Sequence, residues 1–419
     1  MANMQSIPTV DRTRLQADFD ALADLTEPGR PWTRRSFTPL FLEGRAYLKA
    51  RFEEEGLNVR TDAAGNLIGR WEGQGPHAPV LMTGSHSDTV PSGGRFDGIA
   101  GIISGLAAIR ALRIAGYRPQ HALELVDFLA EEPSEWGVSC IGSRGMAGAL
   151  TPQQLALTGP DDERLHSAID RIGGDVAELS NARRTDIASY LEIHIEQGPV
   201  LEARQIPIGI VTAIAGIGRV RVRLEGIAGH AGTSPMDMRA DAALAMARFA
   251  LAVRDTALAP QGTGHFTATI GVLTIEPGGA NVVPGASEAI VDIRAEDDGL
   301  MDRFIDTLEA LAQQAADDEK CRVALFERVS KTRAVACDPS LRDVLDTAAR
   351  DLDLPTLSLA SGAGHDAAFM AKITKSAMIF VPSRDGISHT PDEWTENEAI
   401  ALAADVLLRA LVHLDNRMP

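Results

Sequence analysis

Histidine and carboxylate side chains recur where buried, strand-like runs end, and their types suit cation binding and the activation of water. In Gly84-Ser85-His86-Ser87-Asp88 an imidazole follows the apolar run Val80–Thr83, and Asp88 could accept its second ring N–H and fix the tautomer. The glycines of Gly93-Gly94-Arg95-Phe96-Asp97-Gly98 allow a tight turn that delivers Asp97 to the start of a helix, where both carboxylate oxygens could bridge two cations. Glu131 and Glu132 follow a third apolar run, Leu123–Leu129. Two adjacent carboxylates at a buried strand end repel unless they share a cation or a proton. One could bind metal while its neighbour serves as general base toward a water. His194 sits near the end of the run Tyr190–Ile195, and His389 lies in the turn-rich Gly386–Pro391. By itself His-x-Asp also fits a hydrogen-bonded surface pair, and adjacent glutamates fit a solvated turn.

His86, Asp97, Glu132, His194 and His389 form a set of nitrogen and carboxylate ligands suited to Zn, Mn, Co or Ni. The set contains no thiolate, which argues against a structural zinc site. With one bridging Asp it could hold two ions.

The elements that must position these residues follow from periodicity. Leu15, Phe19 and Leu22 recur at helical spacing, a second helix is expected from Pro39 to Glu55, and Leu57–Thr61 and Asn66–Trp71 read as strands. The apolar runs at 80, 123 and 190, with a helix-length apolar segment from Gly98 to Ala115, predict parallel strands with crossover helices in an α/β layer arrangement. Ligands of such sheets gather beyond the carboxyl ends of the strands. From Ile214 to about Val329 the pattern changes to strand, helix, strand, strand, helix, strand, a ferredoxin-like α+β unit with its own core. The expected organisation is a discontinuous main domain, 1–213 and 331–419, with residues 214–330 inserted.

Composition narrows the partners. The chain has 419 residues, 45% of them hydrophobic, and carries 40 basic against 58 acidic residues for a net charge of −18. No basic stripe offsets that charge, so neither nucleic acid nor an anionic membrane is expected as a partner. Three widely spaced cysteines, Cys140, Cys321 and Cys337, point to a reducing compartment, and Cys140 reads as a buried structural thiol. Met1–Thr13 is polar and no apolar run approaches a membrane span, so the expected compartment is the cytoplasm.

GSHSDTVPSGGRFDG, the Glu131-Glu132 pair, HIEQGPVLE, GHAGTSPMDMRADA, the Arg294 strand, SGAGHDA and GISHTP occur in the order of the M20 metallopeptidase clan. They resemble its carbamoylase branch: N-carbamoyl-L-amino-acid hydrolases, β-ureidopropionases and allantoate amidohydrolases. The resemblance runs from about residue 40 to the end. It implies a mixed-sheet, zinc-aminopeptidase-like catalytic domain carrying an inserted ferredoxin-like dimerisation (lid) domain. It also implies two divalent ions per subunit, zinc foremost: one held by His86, Asp97 and His194, the second by Asp97, Glu132 and His389. Glu131 would be the general base. His230 would donate to the developing oxyanion, Asn281 and Arg294 would clamp a substrate carboxylate, and Gln197 and the Gly362 backbone would lie near the substrate. The implied assembly is a homodimer in which His230, Asn281 and Arg294 reach the other subunit's site. The implied reaction is cleavage of the carbamoyl C–N bond of an N-carbamoyl-L-amino acid. Allantoate or another ureido acid is the rival substrate; a peptidase or acylase, or a silent metal-binding dimer, stands further off. His365 and Asp366 are expected to play supporting roles. Glu131-Glu132-Pro133-Ser134-Glu135-Trp136 departs from the branch pattern, which bears on the side-chain specificity pocket.

Overall fold

The computed structural model describes residues 7–75, 78–259 and 264–417; Met1–Ser6 of the polar N-terminal stretch fall outside it. The chain divides into two compact units, one comprising Met1–Thr212, Cys337–Leu359 and Gly364–Pro419, the other Ala213–Ala336 with Ala360–Ala363.

The strands are β1 (Asn58–Thr61), β2 (Leu67–Trp71), β3 (Val80–His86), β4 (Leu123–Phe128), β5 (Ile187–Ile195), β6 (Ile208–Ile214), β7 (Gly216–Glu225), β8 (Gly229–His230), β9 (Phe266–Glu276), β10 (Val282–Val283), β11 (Ala286–Ala295), β12 (Arg322–Lys331), β13 (Val335–Ala336), β14 (Thr356–Ser361) and β15 (Lys375–Val381). In the first unit β4, β3, β5 and β15 pair in parallel, while β1–β2, β2–β4 and β15–β6 are antiparallel, which makes the sheet mixed. All seven residues of β3 and all six of β4 are buried, as expected of strands covered on both faces.

Helix Ile99–Ile114 is largely apolar, and Ile99 through Leu112 are buried, packed against the sheet and helix Asn397–Arg417, with Arg110 paired to Asp18 and Glu55. Helix Pro39–Glu54 starts where the Thr38 side chain accepts the Phe41 N–H and Pro39 supplies a ready φ at the first turn. Among the described residues no helix is long and apolar enough to cross a membrane.

The second unit is a four-stranded antiparallel sheet in the order β12-β7-β11-β9. β7 alternates cleanly. Val220, Val222 and Leu224 turn inward to join Phe249, Met246, Phe304, Ile305 and Leu308 of helices Ala242–Leu258 and Asp298–Asp318. Each such large side chain contributes about 1.5–3 kcal/mol on burial. Arg219, Arg221 and Arg223 turn outward and pair with Asp292, Glu327 and Glu276. β8 and β10 form a separate two-residue ladder.

Candidate metal centre and substrate groups

Strand ends and the loops that follow them deliver the candidate ligands. His86 closes β3 and His194 lies in β5, both 1% exposed. Each imidazole donates Nδ1–H to a main-chain carbonyl: His86 to Asp88 O at 3.0 Å and His194 to Ile195 O at 2.9 Å. The Asp88 carboxylate, expected to orient His86, lies 3.6 Å from Nδ1 and instead accepts the Glu131 N–H at 3.2 Å. It therefore orders the Glu131 peptide, and a carbonyl fixes the imidazole.

Both Nε2 atoms face Asp97. Its Oδ1 lies 3.6 Å from His86 Nε2 and 3.1 Å from His194 Nε2, and its Oδ2 lies 3.0 Å from His389 Nε2. Glu132 Oε1 is 3.5 Å from His389 Nε2. Donor atoms of His86, Asp97 and His194 lie within 4.8 Å of one another, as do those of Asp97, Glu132 and His389. The structure thus brings all five candidate ligands together around the two oxygens of one Asp.

The donor set fits divalent cations. With Nδ1 protonated, each neutral imidazole turns a lone pair toward a carboxylate oxygen, an arrangement that a positive charge between them relieves; His194 Nε2 also accepts the Gly98 N–H at 3.3 Å. His86 Nε2 is buried with no hydrogen-bond partner. Without an ion, protons must serve instead. Burial opposes the charged form of His86, but the carboxylates of Asp88, Asp97 and Glu131 outweigh it and raise its pKa well above the usual value. His389, hydrogen-bonded to Asp97, is raised to about 9. Burial, reinforced by the charge of Asp97, lifts Glu132 to about 7. Asp97 is buried too, yet His194 and His389 within hydrogen-bonding distance, and the His86 imidazole close by, hold it well below the ordinary carboxylate range.

Glycine is required at position 98. There φ is +67°, and a Cβ would stand 2.4 Å from the His86 ring.

Glu131 borders the cluster, with Oε2 3.7 Å from His86 Nε2. Ala130, at φ 51°, turns the chain so that the two glutamates follow β4 directly. The Cys140 thiol donates to Glu131 Oε1 over 3.5 Å, so this buried cysteine contacts the candidate base as well as filling space. Gln197 donates from Nε2 to Asp97 Oδ2 at 3.0 Å and lies 3.3 Å from His389 Nε2.

His365 and Asp366 lie beneath the cluster. The His365 ring meets His194 edge-on at 4.5 Å, and Asp366 accepts from Ser143 Oγ at 2.5 Å. Trp136 of the unusual Pro133–Trp136 segment is buried against Phe37 and donates to Glu163 O at 2.8 Å. Its indole belongs to the core.

In the second unit His230 and Asn281 stand together: Ala231 N donates to Asn281 O at 2.9 Å and His230 pairs with Val282. Gly232 N donates to His230 Nδ1 at 3.1 Å, which leaves the proton on Nε2, a donor on an exposed side chain. Arg294 gives Nε to Asp292 at 3.0 Å and Nη1 to Gly362 O at 2.8 Å, which aims the guanidinium and groups it with the Gly362 backbone.

Glu393 drew no attention in the sequence. Buried at 1% exposure, it accepts the N–H groups of Phe96 at 2.8 Å and Asp97 at 3.1 Å on Oε1, and the Ser388 hydroxyl at 2.7 Å on Oε2. An acidic residue three places before Glu396-Asn397-Glu398 reads as solvated; the adjacent Trp394 is the one sign of burial.

Comparison with known proteins agrees with this geometry. Residues 82–413 match the model of peptidase family M20/M25/M40. A protein of Oryza sativa subsp. japonica named ureidoglycolate hydrolase is 35% identical over 97% of this chain and 85% of its own length. The N-carbamoyl-L-amino-acid amidohydrolase of Paenarthrobacter aurescens is 36% identical over 96% of this chain and 98% of its own. Among solved structures, a hydantoinase/carbamoylase-family amidase from Burkholderia multivorans superimposes with a TM-score of 0.90 at 33% identity, covering 97% of this chain and 98% of that one. On the extent of these matches, the chain belongs to peptidase family M20/M25/M40, a metal-dependent family.

Proposed function

We propose that the protein hydrolyses the carbamoyl C–N bond of N-carbamoyl-L-amino acids, a non-peptide amide bond, giving amino acid, ammonia and carbon dioxide. The observation that carries this reading is the convergence of three imidazoles and two carboxylates on one centre, with a third carboxylate, Glu131, at its edge. His86, Asp97 and His194 would hold one ion, and Asp97, Glu132 and His389 the second. Bound divalent ions would supply Lewis-acid charge and lower the pKa of water.

The remaining work falls to the chain's own groups. Glu131 Oε2 takes a proton from the attacking water and returns it to the departing nitrogen. His230, reaching the site of the other subunit, donates Nε2–H to the negative oxygen that develops at the carbonyl. Arg294 and Asn281, likewise reaching the other subunit's site, clamp the substrate carboxylate, the guanidinium as a planar fork, and Gln197 and the Gly362 backbone are further polar contacts. One water is consumed per ureido group, and the carbamic acid released decomposes to ammonia and carbon dioxide.

A second reading has specific support. Plant proteins named ureidoglycolate hydrolase match as closely as the carbamoylases, the Arabidopsis thaliana one at 35% identity over 98% of this chain. Ammonia release across N-carbamoyl amino acids, allantoate and ureidoglycolate separates the two. The carbamoylase reading expects the N-carbamoyl compounds to give the highest kcat/KM, and turnover confined to ureidoglycolate or allantoate replaces it. Arg294→Lys, which keeps the charge and loses the fork, should raise KM about tenfold or more for substrates bearing a carboxylate. An unchanged KM would release Arg294 from this role.

The reading includes a homodimer built on the second unit. Its edge strand β9 leaves Val272, Leu273 and Ile275 at 40–49% exposure beside an edge that no other strand pairs among the described residues, a feature that association would cover. Sedimentation at the mass of two chains is expected; a monomer at micromolar concentration would remove the proposal.

A further inference from the structure

We propose that Glu393 is a positioning residue that couples the two candidate cation subsites. The inference rests on the ligand assignment given above. Asp97 and His389 are 292 positions apart in sequence (389 − 97), on two loops that share no strand. Between those loops stands one buried carboxylate. Its Oε1 receives two successive N–H groups, of Phe96 and Asp97, which fixes the backbone from which the Asp97 carboxylate projects. Its Oε2 receives the hydroxyl of Ser388, the residue before His389. His389 has a left-handed backbone, φ 57°, and its side chain is half exposed, so packing alone restrains it little.

Gly94 belongs to the same construction. A Cβ there would stand 1.9 Å from the Glu393 carboxyl, so the loop is shaped around this group. The first subsite depends less on it, because His86 and His194 are carried by β3 and β5 and fixed by main-chain carbonyls. Losing Glu393 therefore frees one ligand of the first subsite, Asp97, and two of the second, Asp97 and His389. The second ion should be lost preferentially.

The test is zinc binding to the full chain, measured as stoichiometry and affinity after equilibration against buffered Zn2+. Wild-type protein should hold two ions. Glu393→Ala should hold one with near wild-type affinity and bind the second roughly 10- to 100-fold more weakly, the range typical of lost outer contacts to metal ligands. Glu393→Gln keeps Oε1 as an acceptor for both N–H groups but presents an amide to Ser388. It should weaken the second ion to a lesser degree and decides the matter if the Ala variant does not fold. Ser388→Ala should weaken the second ion alone. In these variants kcat at limiting zinc should fall and recover with added zinc, with KM little changed.

A purely structural role would lower the melting temperature of the metal-free protein and weaken both ions in parallel, and that result overturns the inference. So do two ions at wild-type affinity in a folded Glu393 variant. Wild-type protein holding fewer than two ions would instead overturn the ligand assignment itself.

Discussion

Glu131→Gln is expected to lower kcat by about a thousandfold or more while leaving zinc content at the wild-type level. The side chain keeps its shape, and Oε1 can still accept from the Cys140 thiol. What disappears is the basic oxygen that faces the cluster 3.7 Å from His86 Nε2. Glu131 belongs to neither ligand triplet, so removing its charge should spare the ions. A thousandfold loss corresponds to about 4 kcal/mol of transition-state stabilisation. Burial, with the negative charges of Glu132, Asp366 and Asp97 adding to it, pushes the Glu131 carboxyl well above the ordinary range despite His86. Such a group holds a proton more firmly than a solvated carboxylate, as an acid–base shuttle must when it returns that proton to nitrogen. Steady-state turnover beside metal analysis on the same sample is the check. Undiminished kcat at full metal content would strip Glu131 of the role.

Metal binding should be strongly pH-dependent, with affinity rising toward alkaline pH. An ion at the second subsite must displace the protons held by His389, pKa about 9, and Glu132, pKa about 7. At pH 7 nearly all His389 is protonated, so apparent affinity should be about a hundredfold below its value at pH 9, and more steeply reduced below pH 7 where Glu132 competes as well. The sign for stability without metal is opposite. Both groups have folded-state pKa values above their unfolded ones. Each therefore contributes fully below its unfolded value, near 4.5 for Glu132 and 6.5 for His389, and loses that contribution as pH rises through about 7 and about 9. Metal-free protein should thus lose stability from these groups between pH 5 and 9, while excess zinc should stabilise increasingly over the same range. Calorimetric titration in buffers of differing ionisation enthalpy reads the released protons directly. No proton release at pH 7 would contradict the proposed ligation.

Much of this arrangement was legible in residue order. β3, β4 and β5 are wholly or almost wholly buried, and such strands write themselves as unbroken apolar runs with polar groups collected at one end. The alternation of β7 was equally plain, because one face meets helices and the other water. Other elements escaped, strand Thr356–Ser361 and helices Pro339–Arg350 and Asn397–Arg417 among them. Ile208–Ile214 and Lys375–Val381 are short apolar runs whose strand character comes from partners far along the chain, β5 and β15 pairing across the whole second unit. The ladders β8–β10 and β13 are two residues long and leave no period to detect.

The candidate ligands stood out because cation binding favours a few side-chain types, His, Asp and Glu among them. The groups that hold the ligands could not. Main-chain carbonyls orient His86 and His194, and Glu393 acts on N–H groups nearly 300 positions away, a relation without local signature.

The pairing of β5 with β15 also governs the order in which the molecule matures. Ile193 and Ile379 are neighbours in the parallel ladder, but the entire second unit is synthesised between them. That unit draws its core almost wholly from one contiguous stretch and can collapse early on the ribosome. The sheet of the first unit must wait for β15, and the last of the candidate cation ligands for position 389. Its half-built state exposes the edge of β5 through much of translation, which makes that strand the point most open to misassembly when synthesis outpaces folding.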